Sequence, residues 1–516
     1  MDNRFYFGFN TSEERKKRRK AELYSMSEQV STFFWDEAPQ HGLEMREGQQ
    51  DMSFEIVDAL INDQHFAIEA GVGIGKSFGY LVPVLLYSKR MNKPVIIATS
   101  TIALQEQLWR DVHAVMPLLG LNRDVILAKG QTHYLCNKRA DEYMCDPKAD
   151  PPDALKEGIQ QGYEERKDFP EVLPQGVWDK VNVQRFSMKN CGSCEKKCKY
   201  YKVRAALKFT DGVVLCNQDF LTQHLMKLRR GQEGLINAAA DLLVVDEAHN
   251  LDDKVRSATT ERFGQGMLFG MIKSAFYELR SFDQSSVSGE KREAESAIIA
   301  FYNCLKAQVQ KQINEAEQDM RYADRFFFDN NGSAIELLTE MNAAIHNLSS
   351  SIQIYSSMDF RNNRSFAASD DLDAVSESLS ELLDRIDDML IWIEQHGSNT
   401  ELVYCPKNTK EIVSRLYFNG DERTILTSAT LTNATSGSLE EQYSYFISNT
   451  GFPAGDRGCL SEPKPSPYPY DEHAMIYYCD DLPHPTREHE AFIEKGVERL
   501  LEILNISNGK ALVLFT

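Results

Sequence analysis

The 516 residues are 42% hydrophobic and 26% charged, with a formal net charge of −20. That length predicts several domains, and the charge excludes a protein that coats nucleic acid with its whole surface, although local basic patches can still bind it. The longest apolar runs, such as LVPVLL at Leu81–Leu86, fall short of the roughly 20 residues that span a bilayer, and the N-terminus has no apolar signal stretch, so the reading is cytoplasmic with no membrane partner. In that compartment a tight cluster among the ten cysteines points to a metal or redox site rather than to disulfides.

In chain order, residues 1–45 read as a polar, partly helical lead-in. Its RKKRRK run, Arg15–Lys20, suits either a DNA-facing patch or a solvated helix start. An amphipathic helix follows from Met52 to Ile61. HFAIEAG is a short apolar strand entering a glycine-rich turn, and KSFGYLVPVLLYSKR is the helix leaving it. PVIIATS, IALQEQLWRDVHAVM and DVILAKG continue as strand, helix and strand. Such alternation predicts an α/β fold with a parallel sheet covered on both faces.

The alternation breaks near Gln131. Residues 132–210 hold a cysteine cluster and read as a small inserted domain. DGVVLCNQDF and DLLVVDEAHN return to buried strands. Over 251–400 acids outnumber bases, and segments such as SESLSELLDRIDDMLIWIEQ predict a second, helical and acidic insert. RTILTSATL is again a buried strand. Residues 46–131, 211–250 and 401–433 therefore form one α/β domain. Residues 434–516, with AMIYYC, a helix over about Arg487–Leu504 and ALVLFT, read as the start of another. The sequence ends inside ALVLFT without a cap or turn, which predicts a C-terminally truncated chain.

Two motifs carry chemistry. EAGVGIGKS, Glu69–Ser77, lies between a strand and a helix, where a phosphate-binding loop belongs. Gly71, Gly73 and Gly75 let backbone N–H groups turn toward phosphate oxygens. Lys76 would reach the β- and γ-phosphates of ATP, and Ser77 would ligate Mg²⁺. Ala70 stands where the strict pattern has glycine. VVDEAHN places two carboxylates at the end of an apolar strand, which is costly without a charged partner. Asp246 would hold Mg²⁺ through water, Glu247 would polarise the attacking water, and His249 would link the site to neighbouring segments. In REGQQDM, Arg46 and Gln49 precede the first core helix, and an amide such as that of Gln49 suits an adenine edge. The small residues Ser428, Ala429 and Thr430 in TSAT suit a hydrogen-bonded relay. Thr99, Thr101 and Gln105 in TSTIALQEQL suit contacts to a nucleic-acid backbone, or ordinary helix capping.

Cys191, Cys194 and Cys198 fall within NCGSCEKKC, with Lys196, Lys197 and Arg204 nearby as candidate phosphate contacts. The spacing alone suits a zinc site as well as an iron–sulfur cluster.

The ordered set R-x-x-Q-x-x-M, EAGVGIGKS, TSTIALQEQL, cysteine insert, VVDEAHN, helical insert and LTSATL resembles the DinG and XPD branch of superfamily 2 DNA helicases. The likeness runs from about Arg46 to Thr516. It implies a RecA-like ATPase domain with an inserted iron–sulfur domain, an inserted arch domain, and the beginning of a second RecA-like domain. It implies ATP, Mg²⁺ and a 4Fe–4S cluster held by Cys136, Cys191, Cys194 and Cys198, with Cys145 as the rival fourth ligand. It also implies 5′ to 3′ movement on single-stranded DNA, with forked duplexes and R-loops as substrates. The later motifs of the second motor domain, whose arginines offset γ-phosphate charge, are absent from this sequence, so the 516 residues alone would turn ATP over slowly. An ATP-responsive, cluster-containing DNA-binding protein without unwinding activity and a DinG-like nuclease are the rival readings.

Overall fold

The computed structural model describes residues 12–513 apart from 45, 185, 187, 280–283, 316–322, 359–366, 474–476 and 486. Two units are distinguished, Met1–Pro465 and Ser466–Thr516.

The centre of the first unit is a seven-stranded sheet, all parallel. Its strands are β1 (His65–Glu69), β2 (Val95–Thr99), β3 (Val125–Leu127), β4 (Val213–Asn217), β5 (Leu242–Asp246), β10 (Arg423–Ser428) and β11 (Gly458–Leu460), in the spatial order β11-β1-β10-β5-β2-β4-β3. VIIAT and RTILTS are buried throughout, as strands with helices on both faces must be. Helices Lys76–Met91 and Glu47–Ile61 cover one face, where Tyr80, Leu81, Val84, Leu85, Ile56 and Val57 are buried together. On the other face Phe220, Leu221 and Leu225 join Val413 and Tyr417.

The strand order gathers the chemistry. β1 is followed in sequence by β2, which lies three places away, and β10 and β5 fill the gap. Glu69 is level with Ser428, and Thr427 with Asp246. The carboxyl ends of β1, β10 and β5 thus meet at the sheet crevice, the position where open α/β sheets bind ligands.

Several boundaries differ from the expectation. The lead-in is part of the core: helix Ser12–Thr32 buries Leu23, Met26 and Val30, and the following turn buries Phe33 and Phe34. Its polar composition hid an apolar stripe narrow enough to seat one helix. In the Arg15–Lys20 run, Arg19 bonds the Tyr87 hydroxyl at 3.1 Å, and the side chains of the first four residues lie outside those described. Segment 434–460 adds β11 beside β1 and so belongs to the first sheet, not to a second domain.

The second insert is not wholly helical. Helices Ser288–Glu315, Gly332–Met358 and Ala367–Asp384 pack on a four-stranded antiparallel sheet of β6 (Glu261–Gly264), β7 (Arg325–Phe327), β8 (Met389–His396) and β9 (Asn399–Pro406), ordered β6-β9-β8-β7. MLIWIEQ, read as the end of a helix, is β8. Its β-branched and aromatic residues favour a strand, and Gly397 at φ +61° turns it into β9. The insert therefore returns at Pro406 rather than at residue 400. Helix Leu251–Ala258 belongs to the motor core through Leu251 and Val255.

The cysteine insert hangs from one edge of the large sheet, between its outermost strands β3 and β4. It has its own small core of Leu135, Leu155, Phe169, Leu173, Trp178 and Val181. In Ser466–Thr516 the longest helix is His489–Ile506, whose Ile493, Val497 and Leu501 are about half exposed. The strand expected at Ala511–Thr516 is not formed over 511–513, and 514–516 lie outside the described residues. Part of AMIYYC lies outside them too.

Candidate nucleotide site and cysteine cluster

The loop Ala70–Gly75 runs from β1 into helix Lys76–Met91. Gly73 and Gly75 have φ of +91° and +88°, a region that L-residues other than glycine rarely enter. Ala70 is buried, and its amide donates to the Ser428 carbonyl at 2.8 Å. The amide of Gly71 donates to the Lys464 carbonyl at 2.9 Å. A side chain in place of the glycine of the strict pattern is tolerated because Ala70, just past β1, needs no positive φ and is bridged to Lys464. Gln49 is buried with its Nε2 on the Gly75 carbonyl at 2.9 Å, while its Oε1 is buried without a protein partner. Arg46 stands at the start of helix Glu47–Ile61, 3.9 Å from Glu44.

The acid pair faces this loop. Lys76 Nζ lies 3.0 Å from Glu247 Oε1. The Tyr80 hydroxyl donates to Asp246 Oδ2 at 3.3 Å. Burial pushes the Asp246 carboxyl up to about 6, with the Lys76 charge opposing and the Glu247 charge adding to the rise. Glu247 is held at φ +56°, strained for a side-chain-bearing residue, and its amide donates to Asp246 Oδ1 at 3.0 Å. Its Oε2 accepts from the Ser428 hydroxyl at 3.4 Å, and His249 Nδ1 lies 2.6 Å from that hydroxyl and 3.4 Å from the same carboxylate oxygen. The Thr430 amide also donates to Ser428 Oγ, at 3.3 Å, and Ala429 sits between them, half-buried. Phosphate loop, acid pair and T-S-A-T turn are thus one hydrogen-bonded constellation. The electrostatics suit a polyanion with a divalent cation: an ammonium at a helix N-terminus on one side, a carboxylate pair on the other.

Three groups went unnoticed in the sequence. Glu69 Oε2 accepts from the Leu431 amide at 2.6 Å, the Thr432 amide at 2.7 Å and the Thr432 hydroxyl at 2.8 Å. Gln218 Nε2 donates to the carbonyls of Asp246 at 2.7 Å and Glu247 at 3.1 Å. Lys464 reaches Glu55 at 2.7 Å. Glu69 opens the phosphate-loop motif, so that position held a signal; Gln218 and Lys464 are joined to the site only by tertiary contact.

Of the residues read as DNA contacts, three are corrected. Gln105 is fully buried, with Nε2 on the carbonyls of Ala128 at 2.7 Å and Leu215 at 2.9 Å; it ties a helix to the sheet. Thr99 is buried and donates to the Thr101 carbonyl at 3.1 Å. Arg204 is nearly buried on the Leu235 carbonyl. The sequence placed Thr99 and Gln105 on the right elements but not on the right face, and gave Arg204 no element. Thr101 is exposed and caps helix Ile102–Leu118 through Leu104. Lys196 and Lys197 are exposed, the first 2.6 Å from Asp141, the second over the Tyr201 ring at 5.1 Å.

Cys136 and Cys198 pack beside Tyr134, Val183 and Tyr200. Burial, and then the charges of Cys136 and Cys191, raise the Cys198 thiol. The Cys194 amide donates to the Cys191 carbonyl at 3.0 Å. Cys145 is exposed at the end of helix Asn137–Cys145. Among the described residues no group of three or more His, Cys, Asp or Glu converges closely enough to hold a metal ion. The half-buried thiols Cys136, Cys191, Cys194 and Cys198 are by type the donors that zinc and iron–sulfur sites use.

A phosphate loop facing paired acids at the carboxyl ends of a parallel sheet defines a P-loop nucleotide-hydrolysing class. The DEAD_2 family model matches residues 132–266. The chain is 24% identical over 520 residues to the probable ATP-dependent helicase YpvA of Bacillus subtilis, covering 94% of this chain and 74% of that protein. It is 25% identical over 537 residues to the 3'-5' exonuclease DinG of Bacillus subtilis, covering 92% and 54%. With the ATP-dependent DNA helicase YoaA of Escherichia coli it shares 30% identity over 240 residues, covering 44% and 36%. The chain thus spans about half or less of two of these relatives. A solved structure titled S. tokodaii Xpd4 overlaps 89% of this chain and 69% of its own, with a TM-score of 0.42 and 14% identity. Motif set, domain match and relatives make this chain similar to ATP-dependent helicases of the DinG and YoaA kind.

Proposed function

We propose that these residues form the ATP-binding motor of a DinG-type helicase that moves 5′ to 3′ on single-stranded DNA. The observation that carries this reading is the closed constellation of Lys76, Glu247, Ser428 and His249, which joins a phosphate loop to the T-S-A-T turn. Gly73, Gly75 and Lys76 cradle the phosphates of ATP, with the Gly71 amide spent on the Lys464 carbonyl; Ser77 and Asp246 hold Mg²⁺, and Glu247 orients the attacking water. Gln49, with Arg46 beside it, reads the adenine. Ser428, Ala429, Thr430 and His249 transmit the state of the γ-phosphate.

Cys136, Cys191, Cys194 and Cys198 hold a 4Fe–4S cluster in this reading, and the cluster when bound cross-links the insert through iron–thiolate bonds. Thr101, Lys196 and Lys197 are the retained DNA contacts. Forked duplexes and R-loops are the proposed substrates, and the proposed compartment is the cytoplasm. No helix among the described residues is long and apolar enough to cross a membrane.

The test uses the full-length natural protein on duplexes with a 5′ or a 3′ single-stranded tail. Unwinding of the 5′-tailed duplex alone, abolished by Lys76→Ala, is the expected result; unwinding from 3′ tails overturns the polarity. Iron, acid-labile sulfide and zinc are assayed on anaerobic protein. Iron and sulfide lost in Cys194→Ser support the cluster; zinc without sulfide replaces it.

A further inference from the structure

The cysteine insert meets the motor sheet at a cluster of charge, buried at its centre, that nucleotide chemistry does not use. Lys129 follows β3, and its side chain is only 2% exposed. Its ammonium lies 2.7 Å from Glu106 Oε1 and 2.8 Å from Glu165 Oε2. Glu165, 6% exposed, binds Lys199 at 2.5 Å through its other oxygen, and Glu106 binds Lys167 at 2.8 Å. Three insert side chains and two motor side chains thus form one run of ion pairs. Buried pairs of this kind contribute little net stability compared with apolar packing, so their value lies in fixing one geometry.

Glu165 touches both arms of the cysteine site. Its backbone pairs with Tyr134, and the Leu135 amide donates to the adjacent Glu164 carbonyl at 2.8 Å, one residue before Cys136. Its carboxylate holds Lys199, the residue after Cys198. Its own position is pinned by a capping box with Asp168. On the motor side, Glu106 follows Gln105, which fastens helix Ile102–Leu118 to the sheet, and that helix begins at the exposed Thr101.

We propose that Glu165 is a positioning residue that couples metal occupancy of the cysteine site to the grip of helix Ile102–Leu118 on single-stranded DNA. The proposal rests on the reading of the cysteines as a metal site in a DNA motor. Gathering four thiolates around a metal fixes the Cys136 and Cys198 arms together. Lys199, Glu165, Lys129 and Glu106 then carry that constraint to the helix.

The test is a thermodynamic cycle on the whole chain without nucleotide. Affinity for a fluorescent oligothymidylate is measured by anisotropy before and after metal is removed, with metal content assayed on each sample. Wild type is expected to lose about fivefold or more in affinity on stripping. Lys129→Met/Glu165→Leu replaces the buried pair by apolar groups and keeps the fold; its loss is expected to stay below about twofold. Glu165→Gln, with a faster loss of visible absorbance to a chelator, is the second expected result. Equal losses in wild type and the double variant, or none in wild type, overturn the proposal. A wild-type chain that holds no metal overturns the cysteine reading as well, which tells the two failures apart.

Discussion

At the scale of single residues, the site is a balance of charge. Lys76 and Glu247 are 3.0 Å apart, so Lys76→Ala removes the partner of a half-buried acid and, in the proposed function, a phosphate ligand. ATP hydrolysis is expected to fall by about 100-fold or more, read as phosphate release. Asp246 gives a pH signature. Burial raises its carboxyl from 3.8 to about 6. Between those values the folded chain keeps a proton that the unfolded chain has lost, so stability falls as pH rises through that window. In Mg²⁺-free, nucleotide-free buffer at pH 7.5, Asp246→Asn is therefore expected to melt about 2–5 °C higher than wild type while binding Mg·ATP more weakly. An equal or lower melting temperature would count against the buried-carboxylate account.

At the scale of elements, the phosphate loop depends on its neighbours. Gly75 sits at φ +88°, and a Cβ there would lie 2.5 Å from Gln49 Nε2. Gly75→Ala is expected to strain the loop by about 1–2 kcal/mol and to lower ATP affinity about tenfold, with DNA affinity retained; titration with a fluorescent nucleotide reads it. Glu69 answers three donors of the segment after T-S-A-T. Glu69→Ala leaves them unpaired and is expected to cost about 2–4 kcal/mol, measured by urea denaturation. Elements were legible where a local pattern dictates them: the glycine loop, VVDEAHN, and the fully apolar strands. They were not legible where tertiary packing decides. MLIWIEQ follows a real helix after only the short turn Ile386–Asp388, and pairing with β7 and β9 makes it a strand. Gln105 and Arg204 carry polar side chains that suit DNA, yet they are spent on carbonyls inside the fold. No one-dimensional signal separates an amide that faces a strand from one that faces solvent.

At the scale of the whole molecule, three segments distant in sequence build one sheet, and two inserts leave it at defined places. The order of the motifs revealed this plan, because a loop, an acid pair and a polar strand end must meet at one crevice. The exact edges were hidden. The N-terminal helix and β11 join the first domain through contacts that composition does not announce. If the helix Ser12–Thr32 is part of that core, removal of residues 1–40 uncovers apolar surface of helices Glu47–Ile61 and Lys76–Met91, against which it packs, and the remaining chain is expected to aggregate or bind a hydrophobic dye; a soluble, ATP-binding remainder would contradict this.

The central claim is that Gly71–Ser77 and Asp246–Glu247 form one Mg·ATP site. Calorimetric titration of a slowly hydrolysed ATP analogue, with Mg²⁺, into wild type and Lys76→Ala tests it most directly. The account predicts saturable one-to-one binding in wild type, lost by about 100-fold in the variant and weakened without Mg²⁺. Equal binding by both proteins, or none in wild type, would contradict it.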